Sequence, residues 1–190
     1  MNKILKTLAV LGCVVSLSAC SSSAASQKSS AEEGIKAVET KYDKKADVSA
    51  MTFVDNEFHG LTFRTPDIMR GRKDSKKEEL SFSVKGNKNK LEVLYDDSTA
   101  LEEGTAEKLK LDEKWNLLSS EEKEINGLKV IQCKGVTTVF TQIVEDADSD
   151  LYLVEAPEGG VIAFDFIYDP DGEEDYAPVY EEIVNSIKAK

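Results

Sequence analysis

The sequence predicts an α+β domain in which an antiparallel β-sheet is flanked by helices, and three observations carry that expectation. Short apolar runs of period two recur between Phe53 and Tyr168. Asn, Gly and Asp turn material separates most neighbouring runs at hairpin spacing. Stretches of helical period stand before the first strand, in the middle of the chain and at its end.

Taken in order, residues 31–42 place Ile35, Val38 and Tyr42 on one helical face, with Gly34 as the weak point. Phe53, then Leu61 and Phe63 flanked by Thr62 and Arg64, predict a hairpin whose turn holds Asp55 and Asn56, with Pro66 closing its second strand. "RGRKDSKK" reads as a basic loop containing Arg70, Arg72, Lys73, Lys76 and Lys77. Leu80, Phe82 and Val84, then Leu91, Val93 and Tyr95, predict a second hairpin around Gly86-Asn87. Leu109, Trp115 and Leu118 give 100–118 a helical pattern, with Trp115 as a core anchor. β structure resumes after Asn126-Gly127, with strands expected at 128–133, 136–144, 151–155 and 161–168. "VIAFDFIY" is apolar on both faces, as a central strand covered on both sides requires. Val179, Ile183 and Ile187 recur every four residues in a closing helix, with Asp175 as a cap and Pro178 in the first turn.

The amino terminus is of a different kind. Lys3 and Lys6 precede the apolar run Leu8 to Val15, the charge-then-apolar order of an export signal and too short a run to span a bilayer. "LSAC" (Leu17, Ser18, Ala19, Cys20) resembles the bacterial lipobox. That resemblance implies removal of residues 1–19 as a signal peptide and diacylglyceryl attachment to Cys20, with acylation of the new amino terminus. Two or three acyl chains hold a protein on a membrane stably where one does so marginally. Residues 20–31 then form a Ser/Ala-rich tether, with a reach of roughly 15 to 20 Å for about ten flexible residues. A single domain over 32–190 follows. The expected location is therefore extracytoplasmic, lipid-anchored to the cell membrane.

Composition narrows the partners. The precursor carries a formal charge of -12, and loss of Lys3 and Lys6 takes it to -14. So acidic a chain is not expected to bind nucleic acid. Cys13 leaves with the signal and Cys20 is acylated, so Cys133 has no partner for an intramolecular disulfide and reads as a small buried hydrophobe in "LKVIQC".

Catalytic chemistry finds little support. His59 is the single histidine, it sits beside Gly60 at a hairpin edge, and no Gly-x-Ser-x-Gly turn accompanies it. Zinc would need several Cys or His ligands. Calcium is the better metal candidate, because Asp146, Asp148 and Asp150 alternate like the first ligands of a calcium loop, with Asp169 and Asp171 as a second cluster. Leu151 and Pro157 occupy the places where an EF-hand needs glycine and glutamate, which leaves two solvated acidic turns as the simpler reading. Arg70, Arg72, Lys73, Lys76 and Lys77 could dock on anionic headgroups or wall polymers, or merely blunt a sheet edge. Asp165, between Phe164 and Phe166, needs a partner if its strand is central, and pairing with a lysine or arginine is expected.

"FHGLTFRTP", the "EINGLKV" turn and the terminal "YEEIVNSIK" helix resemble PsbP-type domains. The resemblance implies a PsbP-like α/β/α sandwich and a binding or assembly role without catalysis or cofactor. The functional expectation is a membrane-anchored, non-enzymatic binding or accessory module, its partner another envelope protein or a ligand, with a small-ligand or calcium binder using the acidic turns as the alternative.

Overall fold

The computed structural model describes residues 42–76, 78–107, 119–134, 149–169 and 171–190. In chain order these contain β1 (Lys44–Lys45), a 3₁₀ turn (Val48–Ala50), β2 (Phe53–Phe58), β3 (Leu61–Pro66), β4 (Met69–Asp74), β5 (Glu79–Val84) and β6 (Lys90–Asp96). Then come β7 (Ser119–Ile125), β8 (Leu128–Lys134), β9 (Ser149–Glu155), β10 (Val161–Ile167), β11 (Glu174–Asp175), helix α1 (Ala177–Asn185) and β12 (Lys188–Ala189).

Seven strands make one antiparallel sheet in the order β4-β5-β6-β10-β9-β8-β7, and β12-β3-β2 make a smaller antiparallel sheet. β1 pairs in parallel with β11. The expected helix-flanked α/β/α architecture is thereby corrected. Among the described residues the only complete helices are the three-residue 3₁₀ turn and nine-residue α1, so the domain is mainly antiparallel β. The reason lies in what covers the large sheet: on one face the cover is shared between α1 and a second sheet, and that sheet buries Phe58, Leu61 and Phe63 at period two where a helix would bury them at period 3.6. The helix expected over 31–42 falls almost wholly outside the described residues. Of the one expected over 100–118, residues 105–107 are helical and 108–118, Trp115 included, lie outside them.

β10 stands fourth of seven, with strands hydrogen-bonded on both sides. Six of its seven residues, Val161 to Phe166, are buried, so the central position expected of "VIAFDFIY" is met. Alternation sends Ile162, Phe164 and Phe166 into one core, with Phe63, Leu91, Val93, Val130, Val154, Val179 and Ile183. Val161 and Ala163 point into a second core with Leu94, Leu101, Ile131, Leu151 and Leu153. Phe63 of β3 joins the two sheets: its ring meets Phe82 of β5 and Phe164 of β10 edge-on, at centroid distances of 5.9 and 5.1 Å.

Two turns differ from expectation. Asp55 and Asn56 lie inside β2, and the chain reverses at His59-Gly60, where both residues have positive φ (44° and 78°), the geometry of a type I′ hairpin. The "RGRKD" stretch is a strand, β4, because Met69, Gly71 and Lys73 pair in register with Val84, Phe82 and Leu80. Asn126-Gly127 turns the β7–β8 hairpin as expected, with φ of 49° and 82°. Gly160 is required for a different reason: with φ at 81°, a Cβ there would lie 2.5 Å from the carbonyl oxygen of Asp96.

α1 packs Val179, Tyr180, Ile183 and Val184 against the first core. Pro178 falls in its first turn; the N-cap is Tyr176 rather than the expected Asp175, which lies one residue earlier and accepts a hydrogen bond from the Ala177 N–H at 2.9 Å. The Tyr180 hydroxyl, buried in that interface, donates to the Ile167 carbonyl at 2.7 Å.

Candidate functional site

The residues singled out in the sequence are scattered. Cys20, Lys77, Asp146 and Asp148 lie outside the described residues. Asp150 is on β9, where its carboxylate accepts a hydrogen bond from the Tyr168 hydroxyl at 3.2 Å. Asp169 is 5% exposed and locks a turn: one oxygen accepts the Lys88 N–H at 2.7 Å, the other the Asp171 N–H at 3.1 Å. Asp171 pairs with the Lys88 ammonium at 2.6 Å. Carboxylates already saturated by amide hydrogens and a lysine are poor cation ligands, and among the described residues no three His, Cys, Asp or Glu side chains are grouped to hold a metal ion.

Arg70, Arg72 and Lys73 are exposed on β4, an outer strand of the large sheet, and Lys76 lies in the following turn. The opposite outer strand, β7, carries Glu121, Glu122 and Glu124. Either edge therefore repels a copy of itself.

His59 stacks on Tyr95 (3.7 Å, 15° between planes) and its Nε2 lies 2.7 Å from the Glu78 carboxylate. Its Nδ1 is 4.0 Å from Glu158. The partners are rings and carboxylates rather than a nucleophile, so His59 clasps three turns together. Cys133 is fully buried, and burial together with the nearby Asp150 charge pushes its thiol up to about 12. With Cys13 and Cys20 replaced by serine, the native protein at pH 8 should therefore resist a thiol reagent such as Ellman's, and react only as fast as it unfolds. Rapid labelling in native buffer would contradict this burial.

Asp165 departs from expectation. It is 6% exposed, and Lys90, whose charge acts on it, forms its ion pair with the neighbouring Glu92 instead. Ser149 hydrogen-bonds the carboxyl, but Oδ1 has no partner. Burial first, then the Glu92 charge, push the group up to about 7.

A groove that the sequence did not disclose is the strongest candidate site. Its volume is about 740 Å³, and it is lined by Asp55, Thr62, Phe63, Arg64, Asn126, Asn185, Ser186 and Lys188. Strand pairing explains the assembly. On the small sheet, Arg64 stands opposite Asp55, and Thr62 stands between Glu57 of β2 and Lys188 of β12. The β12 ladder stops at Thr62, so the Arg64 N–H is free to donate to the Ser186 hydroxyl at 2.8 Å. At the β7–β8 turn, the Asn126 amide donates to the carbonyls of Asn185 and Ile187 at 2.9 and 2.7 Å, capping the end of α1.

The charges of this surface are unevenly satisfied. Glu57 and Lys190 close an ion pair at 2.7 Å, and Arg64 pairs with Glu182 at 2.7 Å while lying over the Phe53 ring. Asp55 and Lys188 are both exposed and, among the described residues, have no ion pair or side-chain hydrogen bond. The Thr62 hydroxyl is buried without a partner. One free carboxylate and one free ammonium thus border a single cavity, with an orphaned hydroxyl buried in its wall, an arrangement suited to holding a polar ligand.

With the geometry established, the solution structure of cyanobacterial PsbP (CyanoP) from Synechocystis sp. PCC 6803 is similar to this chain, with a TM-score of 0.51 over 76% of this chain and 95% of that one. The fold is PsbP-like. Sequence identity is 12%, so the likeness concerns the fold. No family model matches the sequence, nor does any characterised protein at the sequence level. Among the described residues, no helix is long and apolar enough to cross a membrane.

Proposed function

We propose that this protein is a non-enzymatic binding or accessory module, displayed outside the cytoplasm on a membrane to which acylated Cys20 tethers it. The observation that carries the binding role is the groove between β2, β3, β12 and the end of α1, where Asp55, Lys188 and the Thr62 hydroxyl stand unpaired. Exposed ion pairs stabilise little, and next to the groove Glu57 and Lys190 close one at 2.7 Å while Asp55 and Lys188 do not. Unpaired groups of both signs around one cavity favour recognition of something from outside. The PsbP-like fold supports an accessory role, and the "LSAC" motif supports the location.

The tether is tested by expressing the full chain and its Cys20→Ala variant in a bacterial host and fractionating the cells. The wild-type protein should sediment with membranes and carry the added mass of its acyl chains. Cys20→Ala should lose both properties. Retention of membrane association and lipid mass by the variant would refute the anchor.

A further inference from the structure

We infer that the groove recognises a short peptide with both termini free, its ammonium on Asp55 and its carboxylate on Lys188, assisted by Arg64. This rests on the reading of the domain as a binding module. The ligand class follows from the signs and spacing of the unpaired groups. Asp55 on β2 and Lys188 on β12 flank β3 on opposite sides, and their register partners Arg64 and Thr62 lie two residues apart. Two inter-strand spacings and a two-residue offset put their Cα atoms about 12 Å apart. A free amino acid, with charges on neighbouring atoms, is too short to reach both. An extended tripeptide spans about 10 Å, and flexible Asp and Lys side chains can close the remainder.

The rest of the lining fits the same ligand. Arg64 uses one guanidinium nitrogen on Glu182, which leaves N–H groups in the plane that suits a carboxylate. The Thr62 hydroxyl, buried beneath the groove without a partner, would be reached by a peptide group only if its side chain turned outward. Both Asn126 N–H groups are spent on the helix end, so its side-chain oxygen is left to accept a peptide N–H. The contrast with the neighbouring Glu57–Lys190 pair matters: the same surface holds two acid–lysine combinations across β3, and only the one bordering the cavity is open. A purely anionic or purely cationic ligand would leave one of those groups facing its own sign or nothing.

The test uses the full chain purified in detergent, titrated calorimetrically with trialanine, N-acetyl-trialanine, trialanine amide and alanine. Trialanine should bind, and each blocked form and alanine should bind about tenfold more weakly or worse, the loss expected of one charge-assisted contact. Asp55→Asn should weaken trialanine and abolish the penalty of acetylation. Lys188→Met should do the same for amidation, whereas Lys76→Met, a cation away from the groove, should change nothing. The exposure of Asp55 and Lys188 keeps folding intact in both variants. Absence of trialanine binding, equal affinity for free and blocked peptides, alanine binding as tightly as trialanine, or indifference to both substitutions would each overturn the assignment. Because membrane attachment through Cys20 is read separately, a failure here leaves that result standing and removes only the ligand class.

Discussion

Replacing Phe63 with alanine should lower the unfolding free energy by about 3–5 kcal/mol, the cost of truncating a buried aromatic. Phe63 is 1% exposed and fills the space between the small and large sheets, where it meets Phe82 and Phe164 edge-on. Its removal opens a cavity at the joint on which the placement of β3 depends. For a domain of this size the loss corresponds to a fall of about 10 °C in thermal midpoint. Ile68→Ala supplies the contrast, because Ile68 is 46% exposed and should shift stability by no more than about 0.5 kcal/mol. Equal effects of the two substitutions, measured by denaturant or thermal unfolding, would contradict this packing.

The second large effect is electrostatic. Asp165 has its folded-state pKa raised from 3.8 to about 7, chiefly by burial and then by Glu92, with Asp150 acting in the same sense and Ser149 and Lys90 opposing. Between those two values the folded protein binds a proton that the unfolded chain has released. Stability contributed by the protonated form is therefore complete below about pH 4 and is lost as pH rises through 7, by roughly 4 kcal/mol for a shift of this size. Asp165→Asn removes the titration while keeping the shape. The variant should show a flatter stability profile from pH 4 to 7 and should be more stable than wild type at pH 8. A wild-type profile that instead rises over that interval by the same amount, with the variant less stable at pH 8, would sink the assignment of an unpaired buried carboxyl.

What the sequence conveyed and what it concealed divide along physical lines. Local signals were legible. The double-sided apolar run of β10 announces its central place, Asn126-Gly127 announces a turn, and the four-residue recurrence of Val179 and Ile183 announces α1. Signals that depend on a distant partner were not. β4 resembles a loop because Arg70, Gly71, Arg72 and Lys73 have neither apolar alternation nor strand propensity, and it becomes a strand because an outer position on β5 tolerates exposed charge on both faces. Asp55 and Asn56 carry turn chemistry, yet the register set by Phe58 against Leu61 places the reversal at His59-Gly60. The expectation of helical layers failed for the same reason, since a second sheet, invisible to local periodicity, supplies much of the cover.

The groove lies at the far end of this scale. Its walls come from residues 55, 62–64, 126, 185, 186 and 188, and three separate pairings bring them together: β2 with β3, β3 with β12, and Asn126 with the end of α1. All but Asp55 stand in the three stretches that resemble PsbP-type domains, but those stretches lie far apart in the chain and nothing local to any of them shows that they meet. A further hint was Lys188, one of only two cations after Glu145, placed where an otherwise acidic carboxy-terminal quarter would not predict it.

The groove's role is tested most directly by backbone amide chemical-shift mapping of the full chain in detergent, as trialanine is added. The account predicts perturbations concentrated at Asp55, Thr62 to Arg64, Asn126 and Asn185 to Lys188, with the basic strand β4 and the Asp169–Asp171 turn unmoved. Perturbations centred on either of those two places, or spread evenly over the domain, would contradict it.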